Sequence, residues 1–244
     1  MDILPSIRII DLGLYLEKYK TIIFNDLHMG YEDALRSKGV LLPKFALKDT
    51  IKRLESISEK AGPIDRVVIN GDLKHEFGRI NRQEWSDTLK LIDFILTKSK
   101  TISIIKGNHD PSLGPVAEKR GIHILPCLIL DGILIIHGDE LPKAIAPNIK
   151  TIIIGHEHAA IRLRDGSRNE LFKCFLLGSF QKKNLIVCPS FHLLHEGTDV
   201  LSGNHLSPFL DADMSAWKVW IVADDFYSFG TLGKLGLHDV HTRW

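Results

Sequence analysis

Cysteine, long apolar runs and excess charge of either sign are all scarce in this 244-residue chain, and each scarcity excludes something. No apolar run approaches the roughly 18 residues of a membrane helix, and the opening "MDILPSIRII" lacks a charged region leading into a long apolar segment. The expectation is a cytoplasmic protein without a membrane contact. Only three cysteines occur, Cys127, Cys174 and Cys188, an odd number without CxxC spacing, each in or beside an apolar stretch. Reduced, buried thiols fit this usage better than a disulfide framework or a zinc–thiolate site. Lysine and arginine total 31 against 30 acidic residues, and aromatics are 8%, so composition advertises no nucleic-acid surface.

What is present is a globular composition, 44% hydrophobic and 25% charged, long enough for one domain over residues 1–244. Five Ile/Val-rich runs of strand length stand out: "TIIFND" (21–26), "RVVINGD" (66–72), "TISIIKGNHD" (101–110), "GILIIHGDE" (132–140) and "TIIIGHEH" (151–158). Between the first three, residues 47–60 and 82–100 carry apolar residues at helical spacing: Leu47, Ile51, Leu54 and Ile57, then Trp85, Leu89, Ile92 and Ile95. After residue 120 strand follows strand, with hairpin turns at Asp131-Gly132 and around Lys182 to Asn184. This order predicts an α/β protein, a four-layer α/β/β/α sandwich of two mixed sheets flanked by helices. The polar stretch 195–215 reads as a surface loop.

Each of the five runs ends in a cluster of Asp, Asn or His, usually with Gly. Asp26 and His28 end the first, Asp72 the second, Asn108, His109 and Asp110 the third, His137 and Asp139 the fourth, His156 and His158 the fifth. In α/β sheets, ligands sit outside the carboxyl ends of the strands, where neighbours about 4.8 Å apart bring distant residues together. Carboxylate, imidazole and amide oxygen without thiolate suit Mn²⁺, Fe or Zn²⁺ better than Ca²⁺ or Mg²⁺. Asp26, His28, Asp72, Asn108, His137, His156 and His158 exceed the needs of one tetrahedral ion, which points to two metals sharing a carboxylate.

"DLH" (26–28), "GD" (71–72), "GNHD" (107–110), "HGD" (137–139) and "GHEH" (155–158) stand in the order of the five signature blocks of the calcineurin-like metallophosphoesterases, a family the chain resembles. The resemblance implies Asp26, His28 and His158 on a first metal, Asn108, His137 and His156 on a second, and Asp72 bridging. It also implies Mn²⁺ as the metal, with Fe or Zn²⁺ as alternatives, and a hydroxide between the ions attacking phosphorus in line. His109 would face the substrate, protonating the leaving oxygen or stabilising the transition state.

Where phosphoprotein phosphatases of this family place a second aspartate to orient that histidine, "GDLKHEF" has His75, which cannot favour the imidazolium electrostatically as Asp does. His75 therefore joins His109 as a candidate catalytic residue. This wording is similar to the nuclease branch. The segments "DLHMGYEDALRSKGVLLP" and "PSFHLLHEGTDVLSGNHLSPFL" resemble the ligase-associated DNA-damage-response endonuclease group and archaeal relatives of double-strand-break-repair nucleases. The resemblance thus implies a phosphodiesterase acting on DNA or RNA; a phosphomonoesterase or nucleotide phosphatase on the same metals is the alternative, since fold does not fix substrate. DNA-repair protein partners and a homo-oligomer stay open.

Other residues carry weaker signals. Asp110 and Asp139 read as carboxylates orienting ligands or as turn and cap residues. Glu157, turned away from His156 and His158 in an extended segment, reads equally as solvent-exposed. Lys74, Arg79 and Arg82 read as a solvated loop, with a phosphate contact as the alternative. His123, His192, His195, His205, His238 and His241 have no motif around them and read as structural or exposed.

Overall fold

Short Ile/Val-rich runs bury both faces, and the computed structural model places them as parallel strands within two sheets. It describes residues 1–41, 45–76, 82–110, 113–114, 117, 119–165, 168–223 and 226–238. The chain forms two compact units, one of Met1–Cys127 with Phe191–Leu194, the other of Leu128–Ser190 with the chain from His195 onwards.

The first unit holds a seven-stranded sheet whose spatial order follows the sequence. β1 (Asp2–Leu4), β2 (Ile7–Ile10) and β3 (Gly13–Leu16) form an antiparallel meander that runs into β4 (Thr21–Asn25). β4, β5 (Arg66–Asn70), β6 (Thr101–Ile105) and β7 (Ile124–Leu125) are parallel. Ile22, Ile23, Val68, Ile69, Ile104 and Ile105 are wholly buried, each such side chain contributing about 1.5–3 kcal/mol. α1 (Tyr31–Ser37), α2 (Ala46–Ala61) and α3 (Arg82–Lys98) complete the unit. Phe191 joins it by donating its N–H to Asn25 O at 2.7 Å and packing edge-on against Phe24.

Two expected helix faces come out rotated. On α2 the buried residues are Thr50, Leu54, Ile57 and Ala61. On α3 they are Glu84, Thr88, Leu91, Ile92 and Ile95, while Trp85 and Leu89 are half-buried. A carboxylate thus sits on the inward face of α3. The meander and α1 were not expected, because three- or four-residue strands and a two-turn helix are too short for periodicity to register.

The second unit holds a nine-stranded mixed sheet: β8 (Leu128–Leu130), β9 (Ile133–Ile135), β10 (Thr151–Ile154), β11 (Ala159–Asp165), β12 (Arg168–Phe180), β13 (Lys183–Val187), β14 (Thr198–Asp199), β15 (Lys218–Val222) and β16 (Phe226–Thr231). A last helix, α4, spans Leu232–His238. β10 lies parallel to both β9 and β13, and the long β12 pairs with β11 through its first half and with β13 and β15 through its second. The hairpins turn on Asp131-Gly132 and Gln181-Lys182, all four at positive φ as type I′ turns require. Two mixed sheets with flanking helices make this the α/β class that the strand and helix order indicates.

Three expectations change. The five runs stop being strand before their polar clusters, at Asn25, Asn70, Ile105, Ile135 and Ile154. The 195–215 stretch is not a plain surface loop: Val200, Ser207, Phe209 and Leu210 are buried, and two 3₁₀ turns lie within it. Cys174 and Cys188 are buried as expected, whereas Cys127 is half-buried. No disulfide occurs among the described residues. None of their helices is long and apolar enough to cross a membrane.

One packing detail is testable. A Cβ on Gly178 of β12 would lie 2.0 Å from Cδ2 of the buried Trp217, closer than any real contact. Gly178→Ala is expected to destabilise the protein by about 1–3 kcal/mol, as overpacked cores do. Urea denaturation should show a lower midpoint at unchanged slope; an unchanged midpoint would refute this packing.

Candidate metal centre

Where β4 and β5 stop, the chain turns through left-handed backbone. Asp26 (φ 52°), His28 (φ 46°) and Asp72 (φ 42°) all lie in this region, which non-glycine residues seldom occupy. Buried Asn25 and Asn70 pair at the last strand position, Asn70 donating to Asn25 at 2.8 Å. Beyond them the two loops zip together: His28 N donates to Asp72 O at 2.8 Å, Met29 N to Leu73 O at 2.9 Å, and His75 N to Met29 O at 2.9 Å. This pins both aspartates and His28 at the sheet edge. Their ligand atoms lie within 4.8 Å of one another, with His28 Nε2 3.7 Å from Asp72 Oδ2.

The turn after β6 closes on the same point. Asp72 Oδ1 accepts the His109 N–H at 2.9 Å, and a Cβ on Gly107 would lie 2.2 Å from that oxygen, so only glycine fits. Asp110 is not a ligand but a clamp. Its carboxylate accepts N–H bonds from Gly107 at 3.1 Å and from Leu73 and Lys74 at 3.4 Å, joining the second and third clusters. Burial, with the charge of Asp72 adding, pushes its carboxyl up to about 7. Asn108 occupies the exposed tip of the turn.

His109 is oriented by backbone. Its Nδ1 lies 2.5 Å from the His75 carbonyl, which can only accept, so the proton sits on Nδ1 and Nε2 is turned to Asp72, 3.9 Å from its Oδ2. The His75 side chain stacks on His109 at a centroid distance of 5.6 Å instead of holding its nitrogen. Burial, then His109, lowers the pKa of His75. His28, His75 and His109 also have nitrogens within 4.8 Å of one another.

Three residues at this site escaped the sequence. Glu84, wholly buried on α3, accepts N–H bonds from His75 at 3.1 Å and Glu76 at 3.2 Å. His192 is buried, its ring 6.1 Å from that of His28, and Tyr31 stands edge-on between His75 and His192 at 4.7 Å from each. Of the expected basic loop, Lys74 is wholly buried with its ammonium on Glu76 O, Arg82 is exposed, and Arg79 lies outside the described residues.

The second unit presents imidazoles. His137, buried after β9, and His156, after β10, approach Nε2 to Nδ1 at 3.2 Å. Two nitrogens on one tetrahedral ion with bonds of about 2.0–2.1 Å would stand about 3.3 Å apart. His156 (φ 62°) and His158 (φ 53°) are left-handed, which corrects the extended-strand reading of this segment. Glu157 between them points inward: wholly buried, it accepts N–H bonds from Leu206 and Ser207 at 2.8 Å, and Ser207 Oγ donates to Gly138 O at 2.6 Å. Burial raises its pKa. His158 O accepts from Thr198 N, and His195 and His205, expected to be bystanders, lie beside His158 and Glu157. His123 is exposed, and His241 lies outside the described residues.

The donors of the first unit fit a divalent cation. Buried carboxylates that converge on one another and on imidazole nitrogens are costly without a positive charge to pair with, and an ion supplies it. Because Gly107 lets Asp72 approach, Gly107→Ala should weaken metal binding at least about ten-fold by displacing this carboxylate. Calorimetric titration of metal-stripped protein checks this; unchanged affinity in a folded variant would contradict the assignment of Asp72.

Comparison with known proteins agrees with this chemistry. The family model for the calcineurin-like phosphoesterases matches residues 19–141, about half of the chain. No curated protein matches by sequence. Among solved structures, the nuclease MPE of Pseudomonas putida is similar at 16% identity and a TM-score of 0.64, covering 91% of this chain and 93% of its own. Vps29 of Entamoeba histolytica, in a single-mutant form, gives 12%, 0.36, 86% and 99%, and the phosphoesterase YfcE of E. coli 15%, 0.35, 82% and 86%. The first shares the fold. By its family match and its clustered carboxylates and imidazoles, the chain belongs to the calcineurin-like phosphoesterases, hydrolases that use divalent metals.

Proposed function

We propose that the chain is a binuclear, Mn²⁺-dependent phosphodiesterase that cleaves DNA or RNA. The observation that carries this reading is the convergence of Asp26, His28 and Asp72, with His109 Nε2 turned towards Asp72. In this reading Asp26, His28 and His158 hold one ion, Asn108, His137 and His156 the other, and Asp72 bridges. When bound, the ions polarise the phosphoryl oxygens and make water nucleophilic at neutral pH.

The chain's own residues supply the rest. The His75 carbonyl holds a proton on Nδ1 of His109 and turns Nε2 to the substrate; as imidazolium the ring gives its Nε2 proton to the leaving oxygen and returns to the neutral Nδ1–H form. His75 stacks on that ring and restricts its rotation. The diester preference is supported by the His75 wording of the second block and by the fold shared with a Pseudomonas nuclease.

Three measurements test the proposal. Metal-stripped protein reloaded with Mn²⁺ should hydrolyse bis(p-nitrophenyl) phosphate faster than p-nitrophenyl phosphate; preference for the monoester would replace diesterase with monoesterase. His109→Ala should lower kcat by about 10²–10⁴-fold with metal content unchanged. His158→Ala should lose metal chiefly from the position shared with Asp26 and His28, seen by elemental analysis and anomalous diffraction. Vacancy of the other position alone would contradict the ligand assignment.

A further inference from the structure

The second block of this chain lacks the carboxylate that orients the catalytic imidazole in related phosphatases, yet a buried carboxylate stands one peptide group away. Glu84 is wholly buried, and its Oε1 accepts the Glu76 N–H at 3.2 Å. That N–H belongs to the same peptide unit as the His75 carbonyl. The carbonyl is in turn the acceptor for Nδ1 of His109 at 2.5 Å. A carboxylate, a peptide group and an imidazole therefore stand in one hydrogen-bonded line.

We propose that Glu84 is a positioning residue for His109, acting through the peptide that links His75 to Glu76. The proposal deepens the phosphodiesterase reading and rests on His109 facing the substrate.

The physical basis is polarisation. A carboxylate makes hydrogen bonds roughly twice as strong as a neutral acceptor does, and hydrogen bonds in series strengthen one another by about 10–30% each. Electron density drawn towards the His75 oxygen makes it a better acceptor, which holds the His109 proton on Nδ1 and leaves Nε2 for the substrate. Glu84 also receives the His75 N–H at 3.1 Å, shared with Met29 O at 2.9 Å, so both peptides around His75 are fixed by one oxygen. On the other side, Lys74 donates to Glu76 O, and Asp110 takes the Lys74 N–H. The peptide cannot rotate without breaking this set. Gly30 makes room for the carboxylate: a Cβ there would lie 2.8 Å from Glu84 Cγ.

A carboxylate that merely satisfied two backbone donors would act equally well as a neutral amide, and this separates the two roles. Histidine-selective ¹⁵N labelling of the 244-residue chain, metal-stripped and Zn²⁺-loaded, reports the tautomer of each imidazole; His109→Asn identifies the His109 signals. Wild-type His109 should show a slowly exchanging Nδ1 proton. Glu84→Gln keeps the oxygen and removes the charge, and should speed exchange of that proton about ten-fold, with lower kcat and unchanged KM. Glu84→Ala should give mixed tautomers, whereas His75→Ala, which keeps the carbonyl, should retain the Nδ1 proton. A wild-type proton on Nε2, or unaltered exchange in folded Glu84→Gln, overturns the proposal. None of the tautomer measurements needs turnover, so an inactive protein with the expected signals would count against the phosphodiesterase reading and leave the relay standing.

Discussion

Holding an L-residue with a side chain at positive φ costs about 1–3 kcal/mol, and Asp26, His28, Asp72, His156 and His158 are all held there. Five of the seven candidate ligands thus sit on backbone that would relax if left alone. What opposes relaxation is a recurring arrangement: buried carboxylates beside the second, third and fifth clusters gather backbone N–H groups. Asp110 takes three, Glu84 takes two, and Glu157 takes two. A hydrogen bond contributes about 0.5–1.5 kcal/mol net, so each set of two or three offsets about one strained residue.

The strain has a use. Residues continuing a strand alternate between the faces of the sheet, and His28 would follow Asp26 along the strand direction. A left-handed residue turns the chain sharply, so that donors two apart gather at one point while Leu27 and Leu73 remain buried in the first unit. Parallel pairing then matters. Because β4 and β5 are in register at Asn25 and Asn70, their next residues leave the sheet side by side, and Asp26 and Asp72 meet. An antiparallel pair would send one of them to the opposite edge.

Much of the fold was legible in the sequence because continuous Ile/Val runs and a 3.6-residue apolar period are strong signals, as in β4, β5, β6, α2 and α3. The elements that were not legible are those whose stability is not local. β1 to β3 are three or four residues each and persist through pairing into β4, and β14 is a two-residue strand within a polar stretch. The same polar stretch departs from a surface loop for a related reason. Ser207 and Leu210 are buried in the second unit, where Glu157 fixes the Leu206 and Ser207 N–H groups, a tertiary bond that no local pattern announces.

At the site, the motif blocks name side chains that could bear the chemistry, whereas the residues that hold them carry no motif. His192 obeys the same rule as the other clusters, following the strand β13 and the short "CPSF" segment, but no motif surrounds it. Glu84 left a fainter trace. Glu84, Thr88, Leu91 and Ile95 form a stripe at helical spacing beside the more obvious Trp85, Leu89 and Ile92, and a carboxylate opening a buried stripe is the anomaly that betrays it. His75 shows why such residues matter. Read as a side chain, it replaces an aspartate and removes a charge from beside His109; in the structure its backbone carbonyl makes the contact, and the charge lies on α3 behind the peptide. A motif records side chains, so a role transferred to a main-chain oxygen looks like a loss until the carboxylate behind it is found.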